Sequence, residues 1–369
     1  MMKNTSGLFV SNKIHLAATP GGVQWCTAEY ISTLNEVVNL ESLGYRTSRS
    51  VLHKLSRRLF PTPYGGRFDQ KTIRDICQAI DDHQAEFVFL NNTEALSLAP
   101  IISSLRPKCN LVYLSHGVEL TDVVNNLRLA SETMPLAQKR TKWLGQLLVD
   151  EIRQRECLFG TVCISQEDVL FEQWLGSSKV LFLPRMIVPD PIDRNPVDQR
   201  VGCVATLNHG PNLHGLKLLL EELNQLQNVR LRLVGGPIEI GKSLASKYSF
   251  LDYLGPLNNE ELKKEATSWW AFVNPIFCVA RGASTKVATA LGWGVPVLTT
   301  PHGKRGYNWP QTVEVFKTPR RLAHACCNAM ASEGSYANNK SVEVLLAESP
   351  DIRYLRSSFL EFLNCQLSV

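Results

Sequence analysis

The stretch PIFCVARGASTKVATALGWGVPVLTTPHGKRG, residues 275–306, decides the fold of this chain. An apolar strand ends at Pro275 and is followed by an irregular loop. A helix is predicted over residues 284–292, and Pro296 opens the next apolar run. Because a strand, a helix and a second apolar strand follow one another, the stretch predicts a βαβ unit with parallel strands.

The loop before this helix has the composition of an anion-binding site. Ser284 or Thr285 is a natural N-cap for a helix that begins at Lys286. Unpaired backbone N–H groups and the helix dipole attract anions there, and Arg281 and Lys286 add two cations. A diphosphate group would satisfy all of these donors, whereas the plain alternative is an ordinary βαβ unit with a solvated lysine.

The same alternation of short apolar runs and amphipathic stretches extends along the chain. The predicted strands of the first half are KIHLAA (13–18), FVFLN (87–91), LVYLSH (111–116), TVCIS (161–165) and VLFLP (180–184), with helices at 24–42 and 121–157. The predicted strands of the second half are at 202–207, 229–235, 250–255, 271–275 and 295–300, with helices at 212–227 and 259–268. A proline-rich stretch at 185–200 separates the two series. We therefore predict an α/β protein of two doubly wound, Rossmann-like halves, with ligands at the carboxyl ends of the strands.

Composition excludes several classes of protein. The length of 369 residues favours about two domains, and 44% hydrophobic with 20% charged residues is typical of a globular chain. The net charge of +5 is too small to indicate a nucleic-acid binder. The ten cysteines include no CxxC pair and mostly lie in apolar runs, which predicts free thiols in a reducing compartment. We see no apolar run long enough for a signal peptide or a spanning helix, so we expect a cytoplasmic location.

A local cluster of charge lies in residues 46–60. This segment carries five Lys or Arg residues and no acid, and Val51, Leu52, Leu55 and Leu59 fall on one helical face. A basic amphipathic helix at about 48–60 is typical of an element that binds an anionic membrane surface, here from the cytoplasmic side. The alternative is a helix that packs its leucines on the sheet. A nucleic-acid acceptor is disfavoured, because no aromatic residues interleave the charges.

Taken together, these segments resemble the GT-B glycosyltransferases, especially family 4 and the related group 1 enzymes. The donor half of that family has a proline-ended strand, a glycine loop, a lysine-containing helix and a Thr/Gly loop in the order seen at 275–306. The other segments that agree in order are ATLNHGPNLHGLKLLLEEL (205–223), LRLVGG (231–236), DYLGPLNNEELKKEATSWWAFVNP (252–275), PGGVQ (20–24) and CISQEDVLFEQWLGSSKVLFLPRMI (163–187). The resemblance covers most of residues 13–306.

The resemblance implies a GT-B architecture, with two Rossmann-like domains that face each other across a cleft. Residues 1–187 would form the acceptor-side domain and residues 188–349 the donor-binding domain, with a helix at about 350–369 packing back on the first. The implied activity is transfer of a sugar from a nucleotide-diphosphate sugar to a hydroxyl acceptor, with retention expected, in glycan or glycolipid assembly. No Asp-x-Asp pair stands at a strand end beside the cleft, so we expect no metal requirement and no cofactor.

The resemblance also assigns roles to individual residues of the donor half. Lys286 and the N–H groups of Ser284 and Thr285 would hold the diphosphate, with Arg281 adding a cation. Thr289 would offer its hydroxyl to the ribose. The remaining donor-binding positions that the resemblance implies in this half are Asn212, Gly235 and Leu257, the last contacting the base through its backbone. In the first half, the turn at Gly21 and Gly22 would let backbone amides approach a phosphate of the donor or the acceptor.

The sequence departs from the family pattern at two pairs of positions. The family 4 signature places glutamates eight residues apart, and Arg281 and Thr289 stand at the matching positions here. His209 and Asn212 stand where the first donor-side loop usually has a basic pair. The stereochemical outcome is therefore less firmly implied than the fold.

A second candidate site follows the strand LVYLS, where His116 comes at the carboxyl end. A histidine there resembles the active-site histidine of many retaining GT-B enzymes, which contacts the donor sugar. It is also a candidate general base for an inverting enzyme, a role open to the nearby Glu119 and Asp122. The plain alternative is a histidine that only makes structural hydrogen bonds.

Three other functions remain open from the sequence. A nucleotide-sugar epimerase has the same fold and phosphate site but needs no acceptor. A non-catalytic GT-B-like binding protein is compatible with the two missing glutamates. A glucosyltransferase acting on DNA would bind duplexes in a strongly salt-dependent way.

Overall fold

A computed structural model of the protein describes residues 5–17, 21–47, 68–129, 134–187, 189–226, 229–307, 313–328 and 349–364. The chain divides into two compact units. The first consists of Met1–Arg185 and Pro350–Val369, and the second of Met186–Ser349. The predicted basic helix at 48–60 lies outside the described residues.

The first unit is built on a six-stranded sheet with the order β2-β1-β3-β4-β5-β6, in which every described pairing is parallel. The strands are β1 (Ser6–Asn12), β2 (Asn39–Tyr45), β3 (Phe87–Asn91), β4 (Asn110–Ser115), β5 (Gly160–Cys163) and β6 (Val180–Phe182). The helices are α1 (Gly22–Asn35), α2 (Gln70–Asp82), α3 (Asn92–Leu96), α4 (Ala99–Leu105), α5 (Glu119–Leu129), α6 (Met134–Arg155), α7 (Gln166–Trp174) and the last helix of the chain, α13 (Ile352–Asn364).

The second unit is built on another six-stranded sheet, with the order β12-β11-β10-β7-β8-β9 and parallel pairings throughout. The strands are β7 (Arg200–Val204), β8 (Arg230–Val234), β9 (Leu251–Gly255), β10 (Ala271–Asn274), β11 (Val297–Thr299) and β12 (Val313–Val315). The helices are α8 (Gly210–Leu226), α9 (Ile238–Lys247), α10 (Asn259–Ala266), α11 (Thr285–Gly292) and α12 (Pro319–Asn328).

Apolar strands explain why both sheets are covered by helices. Every residue of β3 and β10 is buried, and β4 is buried from Leu111 onward. A parallel sheet with two buried faces needs such strands. In the first unit α13 completes one face, where Phe359 meets Phe89 with ring centroids 6.3 Å apart and Phe362 meets Phe159 at 6.0 Å. The α/β class predicted from the sequence is confirmed.

Each sheet has a point where the strand order reverses. In the first unit β1 and β3 are neighbours, and the chain leads from β1 to β2 on one side but from β3 to β4 on the other. In the second unit β7 and β10 are the corresponding pair, with β8 on one side and β11 on the other. A crevice opens at the carboxyl ends of the two strands at such a point, and ligands of doubly wound sheets bind there. The strand order therefore directs attention to the residues that follow β1, β3, β7 and β10.

The predicted strand at 13–18 is wrong. The first strand is β1, in which Gly7–Val10 pair with Phe87–Leu90 of β3, and Leu8, Phe9 and Val10 are fully buried. Residues 13–17 form turns, and the Ile14 side chain is 62% exposed. The run Leu8–Val10 is short but lies in the middle of the sheet, where two neighbouring strands cover it.

Two predicted helices also have different bounds, and two strands were not predicted. The predicted helix at 24–42 ends with α1 at Asn35, because the chain continues into β2. The predicted helix at 121–157 is two helices, α5 and α6. Both unpredicted strands, β2 and β12, are outermost in their sheets, where half-exposed strands lack the apolar signature of central ones.

A charged triad lies in the interior of the first unit. Arg155 donates from Nε and Nη2 to the two oxygens of Glu172, at 2.6 and 2.8 Å. Its Nη2 also lies 3.3 Å from Glu151 Oε2, and all three side chains are fully buried. One guanidinium therefore faces two carboxylates. Burial raises the pKa of Glu151 to about 7; Arg155 opposes this shift, and the negative charge of Glu172 reinforces it.

We expect Glu151 to make the stability of the protein depend on pH. Because its pKa is higher in the folded than in the unfolded chain, the folded state binds more protons between about pH 5 and pH 7. The free energy of unfolding should then fall as the pH rises through that window, by about 1 kcal/mol per pH unit. Urea denaturation at pH 5, 6 and 7 should give a flatter profile for Glu151→Gln than for the parent.

Glu361 of α13 offers a matched control, because it is a glutamate on the surface of a helix of the same unit. Glu361→Gln should keep the parent's profile. A Glu151→Gln protein with the parent's pH dependence would show that Glu151 is ionised in the folded state across this range.

Candidate active site

His116 follows β4 directly and is half-buried at the carboxyl edge of the first sheet. Its Nε2 lies 2.8 Å from Oδ1 of Asn91, the last residue of β3. The ring of Tyr30, on α1, meets the imidazole edge to face with centroids 5.7 Å apart. The predicted histidine therefore lies next to the reversal point of the sheet, with α1 packed against it.

Hydrogen bonds to its neighbours fix the turn that carries His116. Gly117 N donates to Ser115 Oγ at 3.1 Å, and Val118 N donates to Asp168 Oδ1 at 3.1 Å. Ser115 Oγ in turn lies 3.4 Å from Glu172 Oε1, which belongs to the buried triad. The turn is thus held by buried polar groups below the sheet edge.

The other candidates of the first unit lie on helices that begin at this edge. Glu119 is the first residue of α5 and is half-buried, whereas Asp122 in the same turn is only 6% exposed. Gly21 is the N-cap of α1 and Gly22 its first residue. Because α1 and α5 follow β1 and β4, their N-termini open toward the carboxyl edge where His116 lies.

In the second unit, the loop after β11 is tied to the loop after β10. Asn274, the last residue of β10, donates from Nδ2 to Gly303 O at 2.9 Å and to Ser284 Oγ at 3.3 Å. Thr299 Oγ1 donates to Asn274 O at 2.7 Å, and the Thr300 hydroxyl donates to the carbonyl of Ile276. All six of these residues are buried, so the two loops form one fixed surface.

Arg305 joins this surface to the start of α11. Ser284 N donates to Arg305 O at 3.2 Å, and Arg305 Nε donates to Arg281 O at 3.1 Å. One of the two N–H groups predicted to hold a diphosphate therefore has a protein acceptor. Thr285 and Lys286 are the first residues of α11, and their N–H groups belong to the open first turn of the helix.

Lys286 is a half-buried cation beside a second cation. Burial lowers the pKa of its ammonium group to about 8; the nearby Cys203 thiol opposes this shift, and the guanidinium of Arg305 adds to it. Burial correspondingly raises the pKa of Cys203 to about 12, with Lys286 opposing. Since Cys203 lies in β7, the Lys286 side chain reaches the reversal point between β10 and β7.

The loops after β7 and β8 pack on one another at the same edge. Gly235 has φ +132, and a Cβ at this residue would lie 1.9 Å from the carbonyl oxygen of Ala205. Asn212, near the start of α8, donates from Nδ2 to Thr206 O at 3.1 Å. Both predicted donor-binding residues are thus held by backbone contacts within this edge, which requires glycine at position 235.

The last two predicted donor-binding residues lie farther along their elements. Leu257 is half-buried in the loop after β9, two residues beyond Gly255. Thr289 lies one turn into α11, and its hydroxyl donates to Thr285 O at 3.0 Å. The structure therefore gathers the donor-side candidates at the carboxyl edge of the second sheet, whereas His116, Glu119, Gly21 and Gly22 lie in the first unit.

Two residues of these edges were not singled out from the sequence. Asn91 is a polar residue at the end of the otherwise apolar run FVFLN, and that break in pattern is its only signal. Arg305 lies in the polar run TTPHGKRG, where composition does not distinguish it from Lys304. Each becomes recognisable only through its contact with a predicted residue, His116 for Asn91 and Ser284 for Arg305.

The residues that the structure describes contain no group of three or more His, Cys, Asp or Glu side chains placed to hold a metal ion. None of the described helices has the length and apolar character needed to cross a bilayer. The nine cysteines in the described ranges are free thiols.

The comparisons with known proteins agree with this architecture. Residues 198–332 match the family model described as "Glycosyl transferases group 1". This segment lies within the second unit, and the chain has the GT-B fold of the solved glycosyltransferase structures to which it is similar. No curated protein matches the sequence.

Solved structures similar to this chain share its fold at low sequence identity. Sucrose-phosphate synthase from Thermosynechococcus elongatus aligns with a TM-score of 0.69 and 13% identity, over 97% of this chain and 98% of that one. HepE from Anabaena, solved with UDP and glucose, aligns at 0.62 and 14%, over 99% and 100%. The lipopolysaccharide outer core galactosyltransferase WaaB, in its apo form, aligns at 0.58 and 12%, over 97% and 99%.

The contact between α8 and the end of β10 provides a test of how the second unit holds the loops at its carboxyl edge. A Cβ at Gly215 would lie 1.6 Å from Pro275 O, so Gly215→Ala must displace either the helix or the loop. We expect a loss of about 1–3 kcal/mol in the free energy of unfolding, measured by denaturant titration.

Gly145 in α6 is the matched control, because nothing lies within 4 Å of the Cβ it would carry. Gly145→Ala should raise stability by up to about 1 kcal/mol, since alanine favours the helix. Equal stabilities of the two variants would contradict the close packing of α8 on Pro275.

Proposed function

We propose that this protein is a glycosyltransferase that uses a nucleotide-diphosphate sugar and binds its diphosphate at the carboxyl edge of β10. The observation that carries the proposal is the pair of cations Lys286 and Arg305 at the start of α11. Burial and the second cation make the charged form of Lys286 costly, and an anion between them would remove that cost. The open N–H groups of the first turn of α11 favour an anion at the same place.

The same arrangement suits the departing group of a glycosyl transfer. Negative charge grows on the diphosphate as its bond to the sugar breaks. Donors and cations that are already in position stabilise that charge more strongly than water does. The hydrogen bonds of Asn274 and Thr299 fix the loops in advance, so little reorganisation is needed at the moment of reaction.

The base, the ribose and the sugar of the donor would lie along the carboxyl edge of the second sheet. Leu257, in the loop after β9, would meet the base through its backbone. Thr289 has a hydroxyl for the ribose, after exchanging its present bond to Thr285 O. Asn212, Gly235 and Arg281 would surround the phosphates and sugar from the loops after β7, β8 and β10.

For the acceptor side we propose the carboxyl edge of the first unit, with His116 against the donor sugar. The proposal includes retention, on the resemblance of His116 to the histidine of retaining enzymes. An inverting reaction with His116 or Glu119 as general base is the alternative. The anomeric configuration of the product, read by proton NMR immediately after transfer, distinguishes the two.

The acceptor that we propose is a hydroxyl group of a glycan or glycolipid. One support is the basic segment at residues 46–60, which suits an anionic lipid surface. Another is the fold shared with the lipopolysaccharide outer core galactosyltransferase WaaB. Binding to vesicles with and without anionic lipid, followed by sedimentation, tests this part separately from catalysis.

Removal of the Lys286 ammonium should weaken donor binding by at least tenfold. UDP, GDP, ADP and CDP are first compared by calorimetry at pH 7, beginning with UDP because HepE was solved with it. The tightest nucleotide is then titrated into Lys286→Ala, which should lose about 1.4 kcal/mol or more of binding free energy. Lys286→Arg, which keeps the charge, should bind more tightly than Lys286→Ala.

Lys264 gives the control for general loss of charge. It is exposed near the C-terminal end of α10, away from the carboxyl edge of the sheet. Lys264→Ala should bind the nucleotide as the parent does. An affinity of Lys286→Ala within twofold of the parent would mean that the diphosphate binds elsewhere.

Incubation with donor alone separates the transferase from an epimerase. A transferase leaves the donor sugar unchanged or hydrolyses it slowly, and forms a glycoside only when an acceptor is added. An epimerised sugar in the absence of acceptor would overturn the proposed reaction. A protein that binds no nucleotide and hydrolyses no donor would instead be a non-catalytic member of the fold.

A further inference from the structure

Asn91 is a fully buried amide at the reversal point of the first sheet. It ends β3 after four apolar residues, and its side chain has no exposed area. Burial of an amide costs free energy unless its donors and acceptors are satisfied. Its partners come from three different elements: Ser11 from β1, Thr27 from α1 and His116 from the turn after β4.

The partners of Asn91 determine which way its amide faces. Nδ2 lies 2.9 Å from Ser11 Oγ and 3.0 Å from Thr27 Oγ1, which matches its two hydrogens. The Ser11 hydroxyl directs its own hydrogen to Asn12 O, at 3.4 Å, so Ser11 Oγ accepts from Asn91. The opposite orientation would require both hydroxyls to donate to Oδ1. The network therefore places Oδ1, an acceptor, toward His116.

An acceptor at this position decides which nitrogen of His116 carries the proton. Oδ1 lies 2.8 Å from Nε2, and a hydrogen bond at that distance requires a hydrogen on Nε2. In a neutral imidazole the other nitrogen, Nδ1, then holds the lone pair. Uptake of a proton by the ring would occur at Nδ1 and would leave the bond to Asn91 intact.

The orientation of the ring is fixed from a second side. Tyr30 contacts the imidazole, and the Tyr30 hydroxyl lies 3.0 Å from Ser115 O and 3.3 Å from Val162 O. Tyr30 is 2% exposed, so its ring has little freedom to move. Asn91 and Tyr30 together leave His116 one orientation and one tautomer.

We propose that Asn91 is a positioning residue, which holds His116 as its Nε2–H tautomer and thereby fixes the orientation in which the imidazole ring stands at the sheet edge. The role of His116 in catalysis rests on the proposed function. The tautomer itself does not depend on that function, so the two parts have separate tests. The energetic basis is that an asparagine oxygen fixes a proton on Nε2 without adding a charge beside the imidazole.

The tautomer is measured directly by nitrogen NMR of the full chain labelled at histidine. The chain has eight histidines, and a His116→Gln sample identifies the signals of His116. At a pH where the ring is neutral, we expect the hydrogen on Nε2 and the lone pair on Nδ1. Asn91→Ala should give a mixture of tautomers, and Asn91→Asp, whose carboxylate also accepts, should keep the hydrogen on Nε2.

Kinetics then test whether the tautomer matters for transfer. Asn91→Ala should lower kcat at least tenfold with KM for the donor changed less than threefold, and Asn91→Asp should recover part of kcat. Asn110→Asp adds the same charge at the amino end of β4, at the opposite sheet edge, and should leave both parameters at parent values. If Asn91→Ala fails to fold, the Asn91→Asp and parent samples still decide the tautomer.

The outcomes distinguish the positioning role from the proposed function. A proton on Nδ1 in the parent, or an unchanged tautomer in Asn91→Ala, would overturn the assignment. A changed tautomer with unchanged kcat in Asn91→Ala, while His116→Gln is inactive, would overturn the positioning role. Full activity of His116→Gln would instead overturn the catalytic part of the proposed function and leave the tautomer assignment standing.

Discussion

The pairing of two cations at the carboxyl edge of β10 is the constraint on which the proposed diphosphate site depends. Hydrogen bonds from Asn274, Thr299 and Thr300 tie the two loops together and keep Arg305 next to the start of α11. Burial, reinforced by that guanidinium, lowers the pKa of Lys286 to about 8. A protein that holds two like charges together in a partly desolvated place has a strong preference for an anion there.

Most of the fold could be predicted from the sequence, because the central strands of a parallel sheet are apolar throughout. The predicted strands at 87–91 and 271–275 end within one residue of the ends of β3 and β10. The first strand was misplaced because Leu8–Val10 is a short run between polar residues. Its position follows from pairing with β3, a long-range contact that local pattern does not report.

The candidate site could be predicted only in part. Lys286 and Ser284 follow a strand and begin a helix, a local arrangement that sequence displays, and His116 likewise ends an apolar run. Asn91 and Arg305 have no such signal, because their importance lies in contacts across the sheet edge. The hydrogen bond from Ser284 N–H to Arg305 O could not be predicted for the same reason, since the two residues meet only through the loop after β11.

The most direct test of the account is the pKa of Lys286 with and without a nucleoside diphosphate. Carbon NMR of labelled lysine side chains, with Lys286→Arg to identify the signal, follows the titration of this one ammonium. In the free protein we expect a pKa of about 8. Saturating UDP, or whichever nucleotide binds best, should raise it by at least about one unit, because the diphosphate stabilises the charged form. The same pKa in the free and nucleotide-bound protein would contradict the proposal that Lys286 holds the diphosphate.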